Sequence, residues 1–235
     1  MAGLSGSTWV LRWADAEGTE SMSYLQERLV SGFHAQLSDR WNVKTRLFRS
    51  THDYATMNMD MSTSNDADQN QDKKSNEGPH RFLYLVNMSH IVPPRQFAVL
   101  TFPGPGGIWN QRVIESDVEI ETIMSKMKNL WVPRQSAYIE GYSYNLGDFR
   151  VHLGTMRVGS GYKGIILQID YLPCNSYIEV NGIMAEFVQM LLPPNARVDT
   201  NTGIKFEDAN LSSNMMTDRH TALQYINLFT KLHLL

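Results

Sequence analysis

With one cysteine in 235 residues, Cys174, the chain permits no internal disulfide and no cysteine-built zinc cluster. No stretch approaches the ~18 consecutive apolar residues of a spanning helix. Met1 to Gly6 leads into Thr8, Trp9, Leu11, Arg12 and Trp13 rather than the apolar core of a signal peptide. There is also no run of Lys or Arg: 21 basic residues face 24 acidic ones, a formal charge of −3, and phosphate recognition depends on clustered positive charge. These absences predict a soluble, intracellular protein with no membrane segment and no direct nucleic-acid surface, whose partners are proteins. What is present is 42% hydrophobic residues in a chain long enough to bury roughly 70% of its extended surface, so global disorder is excluded.

Two polar stretches interrupt the pattern. From about 56 to 79 the sequence MNMDMSTSNDADQNQDKKSNEG has no aromatic residue and no Ile, Leu or Val, too little apolar surface to offset the entropy of ordering it. It reads as a mobile insertion. The stretch 195–214, after Pro193-Pro194, reads as a surface loop. The remainder predicts a single domain over 1–235.

Outside these gaps the hydrophobic period alternates between 3.6 and two. Met22, Leu25, Leu29, Phe33 and Leu37 make one helix face. Ser116 and Glu119 have capping-box spacing ahead of Ile120, Ile123, Met124, Met127 and Trp131; Ser176 and Glu179 repeat it ahead of Val180, Ile183, Met184, Phe187 and Leu191. A last helix from about Asp218 carries Ala222, Tyr225, Ile226, Phe229 and Leu232. Strand-like alternation covers Thr8–Trp13, Trp41–Leu47, Phe82–Met88, Arg95–Phe102, Ile108–Ile114, Ala137–Tyr144, Phe149–Val158 and Tyr162–Tyr171. Short Gly and Pro turns join most of them, which makes the neighbours antiparallel. The expectation is an α+β protein, an antiparallel β-barrel of about eight strands flanked by amphipathic helices.

Chemistry-bearing patterns are sparse. Gly159-Ser160-Gly161-Tyr162-Lys163-Gly164 fits G-x-G-x-x-G, but strand-like residues lie on both sides, so a hairpin is expected rather than a nucleotide site. Glu119 and Glu121 fall in the first turn of a helix, where acids favour the macrodipole, and they have no second carboxylate pair to complete a metal cage. His34, His52, His80, His90, His152, His220 and His233 show no zinc spacing. Cys174 reads as a small core residue ahead of a helix start, and of the 13 methionines Met124, Met127, Met184 and Met190, on or beside helix core faces, as gap-filling. No catalytic residue, cofactor or metal is expected. Phe102, Ile108, Trp109, Leu232, Leu234 and Leu235 are nominated as partner-binding residues, being apolar residues expected at a turn and at the chain end.

The order of elements, with Gly147-Asp148-Phe149, Leu153-Gly154-Thr155, Gly164-Ile165, Tyr171-Leu172-Pro173-Cys174 and the closing Leu223-Gln224-Tyr225-Ile226-Asn227-Leu228-Phe229-Thr230-Lys231, resembles the Mediator subunit 20 family over most of the chain. So do His80 to Met88 and Phe97 to Leu100. The polar insertion before Pro79 and the stretch after Pro194 depart from it. The resemblance implies a nuclear, non-catalytic component of the Mediator head module, paired with subunit 18 and reached by subunit 8, linking regulators to RNA polymerase II. It also implies relatives by fold among tunnel-shaped RNA triphosphatases, whose strand-borne Glu-x-Glu pairs this chain lacks. A barrel phosphohydrolase is the alternative reading, and a nucleic-acid-binding barrel the third.

Overall fold

The computed structural model describes residues 6–51, 79–104, 109–127, 129–201 and 203–234. Apart from Pro79, the polar insertion lies outside them. The element order is β1 (Ser7–Trp13), α1 (Thr19–Glu27) with a π turn (Arg28–Gly32), β2 (Gln36–Ser50), β3 (Phe82–Met88), β4 (Gln96–Pro103), β5 (Trp109–Ser116), α2 (Ile120–Lys126), β6 (Trp131–Leu146), β7 (Phe149–Val158), β8 (Gly161–Tyr171), α3 (Asn181–Leu191), β9 (Val198–Thr200), a 3-10 turn (Phe206–Ala209) and α4 (Asp218–Lys231). The strands form one sheet in the order β5-β4-β3-β2-β6-β7-β8-β1-β9. Every neighbouring pair is antiparallel.

The expected α+β class and antiparallel sheet are present, but the barrel is incomplete, because β5 and β9 remain as edges. Gly159-Ser160 makes the expected two-residue hairpin, with Gly159 at φ 58°, a left-handed conformation that glycine adopts without penalty.

Alternation places side chains on both faces of the sheet. On the outer face, Leu11, Trp13, Val151, Leu153, Ile165, Leu167 and Ile169 pack against Leu25 and Leu29 near α1 and against Met184, Phe187 and Leu191 of α3. Met124 of α2 covers Phe48, Leu83, Leu85 and Ala98 farther along. On the inner face Val10, Trp41, Val43, Tyr84, Val86, Phe97, Val99 and Ile166 surround Ala222, Leu223, Tyr225, Ile226, Leu228 and Phe229 of α4.

Several local details differ from the sequence expectation. Helix α1 and its π turn end at Gly32, so Leu37 lies on β2 and is 60% exposed. Neither Ser116/Glu119 nor Ser176/Glu179 forms a capping box, since the N-cap positions are Glu119 and Val180 and neither helix start has a side-chain cap; Trp131 opens β6. A capping box does form at Thr217 and His220 of α4. That helix does not flank the sheet but fills it, with every residue from His220 to Ile226 buried. The expected surface loop over 195–214 supplies β9, the 3-10 turn and buried Asn201, Phe206, Ala209 and Leu211. It packs inward because it runs between the two open edges of the sheet, joining β9 beside β1 to a turn beside β5.

Candidate functional site

The residues that suggested metal or acid–base chemistry are placed in structural roles. Glu121 accepts from Lys44 Nζ at 3.0 Å, pairs with Arg46 and receives Gln96 Nε2 at 3.3 Å, fastening α2 to β2. Burial works to raise its carboxyl, but the hydrogen bonds and charge of Arg46 and Lys44 hold it below the usual value. Glu119 takes no part in this cluster. Cys174 is half-buried, its Sγ 3.7 Å from Glu179 Oε2 and accepting Ser176 N–H at 3.4 Å, several residues ahead of α3. Among the described residues no three His, Cys, Asp or Glu come together in a way that could hold a metal, and no helix is long and apolar enough to cross a membrane.

Sequence reasoning missed a buried polar cluster on the inner face of β6, β7 and β8. Ser143 Oγ donates to His152 Nδ1 at 2.7 Å, and His152 Nε2 donates to Asp170 Oδ2 at 3.1 Å, the tautomer being assigned from these partners. Thr8 Oγ1 donates to Asp170 Oδ1 at 2.8 Å, and Gln168 Nε2 does so at 3.1 Å. Tyr225 of α4 closes the group by donating to Gln168 Oε1 at 2.7 Å. His152 lies between the rings of Trp41 and His90, at 5.4 and 4.8 Å. The connectivity is that of a Ser-His-Asp triad, but Ser143 and His152 are 5% and 1% exposed, and neither lines the small recess above Asp170. A hydroxyl sealed inside the sheet reaches no substrate, so the cluster ties four strands to α4. Burial opposes the Asp170 charge, while His152, His90 and Thr8 hold its carboxyl below the usual range. His90 is lowered to about 4, first by burial and then by its electrostatic interaction with His152. The signal was present in the sequence: Gln168 and Asp170 are polar on alternate positions of an otherwise apolar strand, Ile165–Tyr171.

A large opening lies where α4 ends, a cleft of about 1450 Å³. Its origin is dimensional. Fourteen helical residues span about 21 Å, whereas the fifteen and sixteen residues of β2 and β6 reach roughly 50 Å, so the strands outrun the element that fills them. One floor row is set by register: Arg49 pairs with Phe82, Phe82 with Thr101 and Thr101 with Gln111, across four strands. Leu47 and Tyr84 sit one step deeper. The rim carries Trp109, Arg134, Lys205, Asp208, Lys231 and His233.

The partner residues nominated from sequence fall partly here. Trp109 is 47% exposed, tilted against Phe82 at 6.0 Å, and lines the cleft with Lys231 and His233 of the chain end. Phe102 is half-buried under the Arg112 guanidinium at 5.9 Å, and Leu232 is half-buried against the inner core. Leu234, nominated as exposed, is 7% exposed: the chain turns back after Lys231, with Leu234 N–H bonded to Phe229 O at 2.8 Å, and the side chain joins the core. Ile108 and Leu235 lie outside the described residues.

Comparison with known proteins follows the same lines. Residues 5–230 match the family model described as TATA-binding related factor (TRF) of subunit 20 of Mediator complex. A relative, Mediator of RNA polymerase II transcription subunit 20b of Arabidopsis thaliana, is 29% identical over 145 residues, covering 56% of this chain and 65% of that protein. Subunit 20 of Homo sapiens is 26% identical over 119 residues, 50% of this chain and 54% of that protein. The matches thus span between half and two thirds of these relatives. Among solved structures, the S. pombe Pct1 RNA triphosphatase shares 10% identity at a TM-score of 0.34, over 76% of this chain and 69% of that one, a likeness too distant to inform function.

Proposed function

The chain belongs to the Mediator subunit 20 family, and from that premise we propose that it acts as a non-catalytic subunit of the Mediator complex in the nucleus. In this reading it pairs with subunit 18 in the head module, is reached there by subunit 8, and helps link regulators to RNA polymerase II during initiation. The observation that carries the reading is the family match over 5–230. The interior supports it, because α4 packs along the inner face of the sheet and the Ser143-His152-Asp170 arrangement is sealed. The partner face is assigned to Trp109, Phe102 and Leu232 at the open end of the sheet, where the exposed indole has the size and rigidity of an interface anchor.

Size-exclusion chromatography of the purified full chain with subunit 18 tests the pairing. Co-elution as a stoichiometric complex is expected, and separate elution at micromolar concentration sinks the heterodimer. Trp109→Ala is expected to weaken the complex about ten-fold; unchanged affinity would move the contact to another face.

A further inference from the structure

We propose that the cleft at the open end of the sheet is a docking site for an acidic peptide segment carrying apolar side chains. Four cations, Arg49, Arg134, Lys205 and Lys231, line it together with His233, against the single acid Asp208. None of the four cations makes an ion pair among the described residues. Elsewhere on this protein some basic side chains do find acids: Arg95 and Arg219 share Glu115, and Lys44 and Arg46 share Glu121. The ordinary reading of Lys231 is a cation at a helix C-terminus. That reading does not extend to Arg49 on β2, Arg134 on β6 or Lys205 in the connection after β9, which converge on the same space from separate elements.

Two polar atoms within the cleft are also left waiting. Arg49 Nε and Thr101 Oγ1, on either side of Phe82 in the transverse floor row, are buried without a hydrogen-bond partner, and Thr101 is 8% exposed. An orphaned buried donor costs free energy unless an occupant satisfies it. The remaining wall is apolar: Leu47, Phe82, Tyr84 and Trp109. A peptide alternating acids with large apolar residues meets both halves of this chemistry, carboxylates to the guanidinium and ammonium groups and side chains to the aromatic wall. A phosphate chain would use only the cations, and four of them offer single-stranded RNA few phosphate contacts.

The test is fluorescence polarisation of the full chain with a labelled fifteen-residue peptide that alternates Asp or Glu with Phe and Leu. The expected result is saturable binding that weakens as salt rises from 50 to 300 mM, and that drops at least about ten-fold in the double variant Arg134→Glu, Lys205→Glu. Both side chains are exposed, so the variant is expected to keep the wild-type unfolding midpoint. Lys231→Glu provides a second, independent reversal with the same expected direction. Absence of binding, equal binding of a peptide with Gln in place of every acid, or preference for single-stranded RNA or inorganic triphosphate each overturns the proposal. So does binding that emerges only after deletion of residues 52–78, for the chain's own acidic segment would then hold the cleft. The pairing with subunit 18 stands apart from these outcomes, since the probe is applied to the chain alone and Trp109 is left intact.

Discussion

Asp170 is a carboxylate taken out of water on the inner side of β8, and its neighbours set what that costs. It receives Thr8, Gln168 and His152. Asp170→Asn keeps the shape but turns an NH2 toward donors, so a loss of about 2–3 kcal/mol in urea unfolding at pH 7 is expected. The sign with pH follows from its lowered folded value. The stabilisation is complete above the unfolded carboxyl range and is lost as pH falls through the folded value, so the gap between wild type and variant narrows only below pH about 4. His90 acts in a different window. It faces His152, Asp170 and Arg150 and titrates near 4 when folded against 6.5 unfolded. Below pH 6.5 the unfolded chain takes up a proton that the folded protein refuses, so stability declines as pH falls from 6.5 toward 4. With allowance for partial exposure this amounts to roughly 2 kcal/mol. His90→Gln, neutral throughout, is expected to flatten that part of the stability profile measured by urea unfolding at stepped pH; an unchanged slope would show that another group carries it.

At the scale of elements, α4 does the work of a missing strand. The free edge of β1 is covered by β9 only from Leu11 to Trp13. Before that, Gln224 accepts Val10 N–H at 3.0 Å and donates to Thr8 O at 2.8 Å, while Asn201 Nδ2 donates to Val10 O at 3.2 Å and to Gln224 O at 2.8 Å. One side-chain amide thus supplies the donor and acceptor that a neighbouring strand would offer. Gln224→Leu fills the same space but orphans both backbone groups, and a loss of about 2–4 kcal/mol in the unfolding free energy is expected; a loss below 1 kcal/mol would mean that the edge finds other partners. This is also where legibility from sequence stops. Ala222, Tyr225, Ile226 and Phe229 announced the helix, but Gln224 in a bonded interior and glutamine in water look the same in a sequence. The hairpins were legible because Gly147 and Gly159 are local signals. Their registers were less so. Counting from the Val158–Gly161 turn sets His152 opposite Leu167, whereas a bulge between Thr155 and Arg157 shifts it to Gln168. That single-residue shift exchanges faces and brings the imidazole beside Asp170, so the polar cluster depended on an irregularity that the hydrophobic pattern does not encode.

For the whole molecule, length and charge are distributed unevenly. The strands exceed α4, leaving the cleft, and the acids lie largely elsewhere. Residues 52–78 hold six acids and two lysines, a net −4 out of a total of −3, so the rest of the chain carries +1. The mild acidity seen in composition therefore belongs to one segment and masks a body with a cationic cleft. The strands that this segment joins need little chain between them: Arg49 pairs with Phe82, and Ser50 N–H bonds Arg81 O at 2.9 Å. A three-residue Gly-Asn-Gly connection in place of 52–78 spans that distance as a hairpin loop. The expected outcome is a folded protein at least as stable as the full chain, with a gain on the order of 1–2 kcal/mol from the shorter closure, measured by equilibrium urea unfolding. The net charge changes sign, so migration on a native gel at pH 7 should reverse. A loss of more than about 2 kcal/mol would show that residues 52–78 pack against the body and contribute to its core.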